Sequence, residues 1–296
     1  MRDLLILLSI TLLAPPCAHA GDVTFRRDYV DGNHGQIHVL TASPAEGAAT
    51  QTPMICLSPN PMAGRYYRLF MNELGKDRVV IAPDYPGLGQ SDAPSRMMDL
   101  AGYADSMAEV LDALGYGDAD KVDVCGYHTG AMVAVELAVR RPDLVRKLVI
   151  AGIPYYEADE RKQMYEENVV AKELKDDFDS LRGSWEFTVT TRQEGVSIER
   201  GYDNFVDILL QRYITHWPYH AVFTYPAEEQ APKVTQPVLI LNTHGSLEKE
   251  TRAMAPLFPD ATLIEIPELH HGVFDVGAER LAVLVRASED GKQADR

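Results

Sequence analysis

The chain alternates short apolar runs with amphipathic stretches, and proline, glycine or aspartate bounds most of the apolar runs. Runs this short and continuous are typical of strands buried on both faces, and the stretches between them have helical spacing. Because parallel strands need crossover connections, the alternation predicts an α/β fold with a mostly parallel sheet. The predicted buried strands are residues 53–57, 78–83, 121–125, 147–152, 237–241 and 261–266.

The first segment has a different pattern, because residues 23–42 alternate polar and apolar positions around a turn-rich stretch at residues 31–35. This pattern predicts an antiparallel hairpin, which brings the sheet to eight strands. Helical spacing recurs between the strands and again near the end of the chain. The predicted helices are residues 66–74, 103–114 and 129–140, followed by one after Val276.

An insertion occupies residues 154–232, where no strand-like run is found. Helical spacing recurs at residues 160–174 and 204–215, and aromatic side chains are concentrated in this part of the chain. An insertion that leaves the sheet at its carboxyl edge covers the crevice where open α/β sheets bind ligands. We therefore predict a helical cap over a core of residues 21–153 and 233–296, with a few cap aromatics lining a pocket. The alternative is a structural addition with no role in binding.

The composition suits one soluble globular domain, since 46% of the 296 residues are hydrophobic and 24% are charged. The 28 lysines and arginines are outnumbered by 44 aspartates and glutamates, which gives a formal net charge of −16. The basic residues are scattered, so no local stripe offsets this charge, and nucleic acid or an anionic membrane surface would be repelled. We expect a small-molecule substrate, with no nucleic-acid partner and no membrane partner for the mature chain.

The amino terminus has the pattern of an export signal. Arg2 precedes an unbroken apolar run over residues 4–14, and a small-x-small pattern follows at residues 18–20. A membrane anchor is the alternative, but this run is about half the roughly 20 residues that a spanning helix needs. We predict that residues 1–20 are a signal peptide cleaved after Ala20, which places the mature protein in the periplasm or outside the cell.

Two cysteines, Cys56 and Cys125, lie in predicted central strands of the mature chain. An oxidising compartment makes a disulfide a reasonable hypothesis. A bridge between neighbouring strands of one sheet strains the geometry that a disulfide requires, whereas buried thiols behave as small hydrophobic groups. We predict two unpaired thiols.

Three segments carry motifs. They read Val-Val-Ile-Ala-Pro-Asp-Tyr-Pro-Gly-Leu-Gly-Gln-Ser-Asp at residues 79–92, Val-Cys-Gly-Tyr-His-Thr-Gly-Ala-Met at residues 124–132 and Pro-Glu-Leu-His-His-Gly-Val-Phe at residues 267–274. In this order and spacing they resemble the α/β-hydrolase superfamily, specifically its capped esterase, peptidase and dehalogenase branch. The resemblance covers nearly the whole mature chain and implies an eight-stranded, mostly parallel sheet flanked by helices, with a helical cap.

The resemblance assigns catalytic roles to two histidines. His128 stands between Gly126 and Gly130, where the family has the serine of its Gly-x-Ser-x-Gly nucleophile elbow. The glycines fit a sharp turn at which strand and helix come close, and histidine tolerates the left-handed backbone expected of the middle residue. Alignment on Gly272 places His271 in the role of the family's catalytic histidine.

The position of the family's orienting acid, after the strand predicted at residues 237–241, is occupied by Ser246. A serine accepts a hydrogen bond from an imidazole but does not stabilise an imidazolium as a carboxylate does. Glu157 or Asp159, just after the preceding strand, is a possible substitute because some relatives supply the acid there, and Glu248 is a weaker one.

The loop after the first buried strand also departs from the family, because Ser58 and Pro59 replace its His-Gly pair. The resemblance then implies an oxyanion hole formed by the backbone N–H groups of Asn60 and Thr129, which need no particular side chain. Pro59 has no N–H, so a shift of one residue would remove a donor.

These residues lead to two hypotheses of different class. The first is an exported enzyme that hydrolyses a small ester, amide or lactone, in which His128 attacks the acyl carbon or activates water, with His271 as its partner. The second is a catalytically inactive binding protein with a hydrolase fold, since the serine, the acid and the His-Gly pair are all replaced. A metal site at His128, His244 and His271 is a third possibility. Relatives work without metal, so we expect no metal and no cofactor.

Overall fold

The computed structural model describes residues 22–171, 173–211, 214–270 and 272–288. The predicted signal peptide and His271 lie outside these residues. None of the helices in the described ranges is both long enough and apolar enough to cross a lipid bilayer.

The central element is an eight-stranded sheet in the order β1-β2-β4-β3-β5-β6-β7-β8. The first two strands form the predicted antiparallel hairpin, β2 pairs antiparallel with β4, and every later pair is parallel. The strands are β1 (Val23–Gly32), β2 (Gly35–Pro44), β3 (Met54–Leu57), β4 (Val80–Pro83), β5 (Val122–Tyr127), β6 (Val145–Ala151), β7 (Val238–Thr243) and β8 (Ala261–Ile266). The fold class and all six predicted buried strands are confirmed, with shifts of up to two residues at their ends.

Burial explains why the central strands are continuous apolar runs. Every residue of β3, β4, β5 and β7 is buried, because helices cover both faces of the sheet. Alternate residues enter opposite layers: Ile55 and Leu57 join one hydrophobic cluster, whereas Met54 and Cys56 join the other. The edge strand β1 is largely exposed instead.

Eleven α-helices occur within the described residues, some of them a single turn. Helices α2 and α3 pack on one face of the sheet, and α1, α10 and α11 pack on the other. The helices are α1 (Arg68–Leu74), α2 (Leu100–Ala113), α3 (Thr129–Arg140), α4 (Ala158–Asn168), α5 (Asp179–Trp185), α6 (Ile198–Leu210), α7 (His216–Phe223), α8 (Ala227–Gln230), α9 (Glu248–Met254), α10 (Val273–Val276) and α11 (Ala278–Ala287).

The insertion between β6 and β7 contains α4 to α8 and no strand within its described residues, as the sequence predicts. Two of its predicted helices have different bounds. Helix α4 ends at Asn168, whose side-chain amide donates to the carbonyl of Met164 at 2.8 Å. Helix α6 begins at Ile198 because the hydroxyl of Ser197 caps it, accepting from the N–H of Arg200 at 3.2 Å.

The two cysteines of the sheet are both free and buried, as predicted. Cys56 on β3 and Cys125 on β5 stand opposite each other in the parallel register. Burial is the main cause that raises the pKa of the Cys56 thiol, so this side chain is protonated at neutral pH.

Candidate active site

The turn from β5 into α3 is the sharp elbow that the two glycines predict. A Cβ atom at Gly126 would collide with the carbonyl oxygen of Gly130, and one at Gly130 would collide with the carbonyl oxygen of Leu57. Between them His128 has φ 51° and ψ −118°, and within the described ranges no other residue except glycine has a positive φ. The backbone strain is therefore concentrated on the residue that occupies the elbow position.

The imidazole of His128 is half-buried and packed between two neighbours. Its ring centroid lies 4.1 Å from that of Tyr127. Gly152, which follows β6 with φ 54°, lies on another side, where a Cβ atom would come within 2.7 Å of Cδ2 of His128. Glycine at this position leaves the space that the imidazole ring fills.

A cavity of about 930 Å³ opens beside His128. It lies at the carboxyl edge of the sheet, because residues directly following several parallel strands line it, and residues of the insertion line it as well. Its aromatic side chains from the insertion are Tyr156, Phe187, Tyr219 and Phe223. The expectation that a few aromatic residues of the insertion line a pocket is confirmed.

Most of the side chains that line the cavity are uncharged. Burial raises the pKa of Tyr156 to about 12 and also raises the pKa of Tyr219, so both phenols keep their protons at neutral pH. The charged side chains among the described lining residues are Arg192, Glu194 and Asp275. Asp275 accepts a hydrogen bond from Nε of Arg200 at 2.8 Å, which compensates its charge.

The two predicted oxyanion residues, Asn60 and Thr129, are buried and line this cavity together with His128. The backbone N–H of neither residue donates a hydrogen bond to another residue of the described ranges. The side-chain amide of Asn60 donates to the carbonyl of Thr215 at 2.8 Å, which anchors the loop after β3 to the insertion. The role of these two N–H groups as an oxyanion hole stays a prediction.

Asp84 organises this loop, a role that the sequence did not reveal. Its buried carboxylate accepts from the N–H of Gly64 at 2.7 Å and from the N–H of Gln90 at 2.9 Å. Nδ1 of His38 lies 3.0 Å from the same carboxylate. The signal was present in the first motif, where Asp84 directly follows a strand, but its partners Gly64 and His38 lie 20 and 46 residues away in the sequence.

The candidates for the orienting acid are placed differently from one another. Ser246 follows β7 and lines the cavity, and its side chain is exposed. Glu157 and Asp159 lie exposed at the start of α4 and do not line it. Glu248 forms an ion pair with Arg252 at 2.9 Å.

Another histidine, His270, lines the cavity. Its Nδ1 lies 3.0 Å from the carbonyl oxygen of His244. Because a carbonyl oxygen only accepts, Nδ1 of His270 carries the proton, and in the neutral ring Nε2 is the acceptor.

Helix α6 is attached to the core by two ion pairs that the sequence did not predict. Nε of Arg65 donates to the buried carboxylate of Asp207 at 2.8 Å. Arg200 pairs with Asp275 and also donates to the carbonyl of Tyr66 at 2.6 Å. These contacts hold the insertion over the cavity. Within the described residues no group of three histidine, cysteine or acidic side chains is arranged to bind a metal ion.

Comparisons with known proteins identify relatives of the chain. The family model described as "Alpha/beta hydrolase family" matches residues 54–284. The chain is 39% identical over 95 residues to 2-hydroxymuconate semialdehyde hydrolase of Pseudomonas sp. (strain CF600), a match that covers 32% of each protein. It is 31% identical over 129 residues to soluble epoxide hydrolase of Corynebacterium sp. (strain C12), covering 44% of this chain and 41% of the relative. Both matches span less than half of the relative's length.

Among solved structures, an esterase from Exiguobacterium antarcticum matches with a TM-score of 0.70 and 20% sequence identity. The match covers 88% of this chain and 98% of the esterase. At this level of identity the comparison shows a shared fold alone.

Proposed function

Because the chain belongs to the alpha/beta hydrolase family, we propose that it is an enzyme that hydrolyses a small ester, amide or lactone in the cavity beside His128. The observation that carries the proposal is that His128, Asn60 and Thr129 all line one cavity. An acyl group placed there has a nucleophile or base on one side and two hydrogen-bond donors for its oxygen on the other.

The proposed reaction begins with a neutral imidazole nitrogen of His128, whose lone pair attacks the carbonyl carbon. The carbonyl π electrons move to the oxygen, which accepts hydrogen bonds from the N–H groups of Asn60 and Thr129. Collapse breaks the bond to the leaving group, which takes the proton from the other ring nitrogen of His128, and water then hydrolyses the acyl-imidazole to the acid and free histidine. In the second route His128 removes a proton from water, which attacks directly.

The orienting group is the part of the proposed site that departs most from a complete catalytic triad. Of the four positions that the sequence suggested, Ser246 is best placed because it lines the cavity. The other three, Glu157, Asp159 and Glu248, do not line it. A hydroxyl there can orient a neutral imidazole by hydrogen bonding but does not stabilise a charged one. Both routes need a neutral imidazole, which is why we propose His128 and His271 as the pair that performs the reaction.

We also propose that the protein works in the periplasm or outside the cell, after removal of residues 1–20. The proposal is supported by the export pattern of the amino terminus.

The function is tested by turnover of a panel of esters, amides and lactones by the purified mature protein and by His128→Ala. We expect the variant to lose about 10²- to 10⁴-fold in kcat/KM, the range typical of a missing acid–base group. His34→Ala serves as the control, because His34 is exposed in the turn between β1 and β2 and lies outside the cavity. Equal activity in wild type and His128→Ala would exclude the proposed role.

A binding protein without catalytic activity is the second candidate. It is favoured by one observation: no carboxylate occupies the acid position after β7, where Ser246 stands. Such a protein would bind the panel compounds without consuming them, and His128→Ala would change only their affinity.

A further inference from the structure

A second cavity of about 740 Å³ adjoins the one beside His128. The two share four lining residues, Pro61, Asn168, Phe187 and Tyr219, so they are neighbouring chambers that meet along one wall. The second chamber is built mainly by the insertion, from α5, the segment before it and the end of α6. A ligand with its reacting group beside His128 would reach the second chamber by passing these shared residues.

The chamber is lined mostly by apolar side chains and by neutral ones. Its aliphatic residues are Val170, Leu174, Leu181, Ile208 and Leu209. Its charged residues, Glu173 and Lys175, are both exposed and oppose each other in sign. Burial lowers the pKa of His216, so this lining residue is neutral at pH 7. Apart from Glu173 and Lys175, the described residues of this lining carry no charge at neutral pH.

Apolar side chains also surround the chamber without being covered by other parts of the described chain. Val170 is 57% exposed, Leu174 is 48% exposed and Phe187 is 66% exposed. Side chains of this kind lose contact with water when an apolar ligand covers them, and this contributes about 25 cal/mol per Å² of buried surface. The exposed residues lie next to a chamber large enough to hold the apolar part of a ligand.

We propose that this chamber binds the alkyl chain of the substrate, so that the enzyme acts on esters or lactones with a long alkyl chain. The inference rests on the proposed function, because it places the acyl group beside His128. It adds a substrate class and a site within the insertion that determines chain-length preference.

Binding is measured first without turnover, using His128→Ala and the series butan-1-ol, octan-1-ol and dodecan-1-ol. Burial of each methylene should tighten Kd about fourfold, until the chamber is filled. A Kd that does not fall with chain length would overturn the inference. A chain-length effect in a protein that hydrolyses nothing would support the chamber as a binding site and contradict the proposed function instead.

The second measurement fills the chamber. Gly183 on α5 lines it, and a Cβ atom there would have no heavy atom within 4 Å, so Gly183→Phe adds bulk without a collision at its base. Gly117→Phe is the matched control, because a Cβ there also meets nothing within 4 Å and Gly117 lines neither cavity. Leu181→Trp fills the chamber from a second position.

Both filling variants should weaken dodecan-1-ol binding at least tenfold, while butan-1-ol binding and the control stay unchanged. Long-chain binding that is unaffected in both Gly183→Phe and Leu181→Trp would place the alkyl chain elsewhere and overturn the proposal. If wild type hydrolyses short esters and shows no preference for long ones, the proposed function stands and this inference fails.

Discussion

His128 is held in an unfavourable backbone conformation, and its neighbours are shaped around its ring. The positive φ of a non-glycine residue costs about 1–2 kcal/mol, which the close strand–helix packing at Gly126 and Gly130 must offset. Gly152 contributes by leaving room for the imidazole. The ring is therefore positioned by packing against its neighbours.

Gly152→Ala tests this packing. The new Cβ would lie 2.6 Å from Cε2 of Tyr127 and 2.7 Å from Cδ2 of His128, so both rings must move, and we expect kcat/KM to fall roughly a hundredfold. The positive φ of Gly152 adds strain that has nothing to do with His128, so the change is repeated in His128→Ser. Thermal unfolding of the four proteins should give a coupling of about 1 kcal/mol. Equal losses of stability in the two backgrounds would show that the ring does not depend on Gly152.

His128→Ser restores the hydroxyl that the family carries at its elbow. We expect a poor esterase, about 10⁴-fold below a serine hydrolase with a complete triad, because Ser246 does not stabilise the imidazolium that His271 would become. The measurement is kcat/KM on an ester that the wild type hydrolyses. Efficient catalysis in this single variant would mean that another acid, such as Glu157 or Asp159, already serves the site.

The residue pattern at the elbow could be predicted from the sequence because its cause is local: Gly126 and Gly130 are required by contacts within one turn. The role of Asp84 could not, since its partners Gly64 and His38 come from other elements. Contacts of this kind depend on how the sheet brings distant residues together.

At the scale of elements, helix α6 buries charged side chains and exposes apolar ones, which is the reverse of the usual amphipathic arrangement. Its buried residues include Arg200 and Asp207, which pair with the core. Its large apolar side chains Ile198, Tyr202 and Val206 are more than two-fifths exposed. Apolar spacing predicted a helix correctly but not which face is buried, because here ion pairs determine the buried face.

The ion pair of Asp207 should give this attachment a pH dependence. Burial raises the pKa of Asp207, and Arg65 only partly opposes this, so the folded chain keeps the proton to higher pH than the unfolded chain. The stabilisation that the protonated carboxyl provides is complete below about pH 3.9. It is lost as the pH rises through the pKa of Asp207 in the folded chain. Because asparagine does not ionise, the Tm of Asp207→Asn should rise relative to wild type between about pH 4 and pH 7.

Asp28→Asn controls for the loss of one negative charge, because Asp28 is exposed on β1. Its Tm difference from wild type should stay flat over the same pH range. If the Tm of Asp207→Asn instead falls relative to wild type as pH rises, the ionised pair with Arg65 stabilises the fold. Ionisation of the buried carboxyl then does not destabilise it.

Helix ends were predictable where a local signal marks them. Helix α3 begins directly after the elbow and ends just before Pro142, and its predicted and observed bounds agree. Helix α6 starts six residues before the predicted position, because a cap at Ser197 outweighs the weaker apolar pattern of its first turns. Short capping interactions thus set boundaries that periodicity alone does not.

At the scale of the whole molecule, the alternation of strand and helix was enough to predict a mostly parallel sheet. The order of the strands was not, because the position of β4 between β2 and β3 depends on pairing between residues far apart in the chain. The position of the cavity follows from this order, since the elbow, the loop after β3 and Ser246 all lie at one edge.

Export is a property of the whole chain that is tested by amino-terminal sequencing of the secreted or periplasmic protein. The charged start, short apolar run and small-x-small ending predict a mature chain that begins at Gly21. A cytosolic protein that retains Met1 would contradict the prediction. The substitution Ala20→Arg removes the small-x-small pattern of residues 18–20. It should block cleavage and leave the longer form associated with the membrane.

We propose that this enzyme works without a hydroxyl at its elbow. The most direct test is turnover of an ester after treatment with excess fluorophosphonate. The intact mass of the protein is measured in parallel. Fluorophosphonates label serine hydrolases because an activated hydroxyl attacks phosphorus. We predict undiminished turnover and no stable adduct on wild type, together with loss of turnover in untreated His128→Ala. Turnover that disappears as a serine acquires the adduct would contradict the account, as would a wild-type protein that hydrolyses nothing.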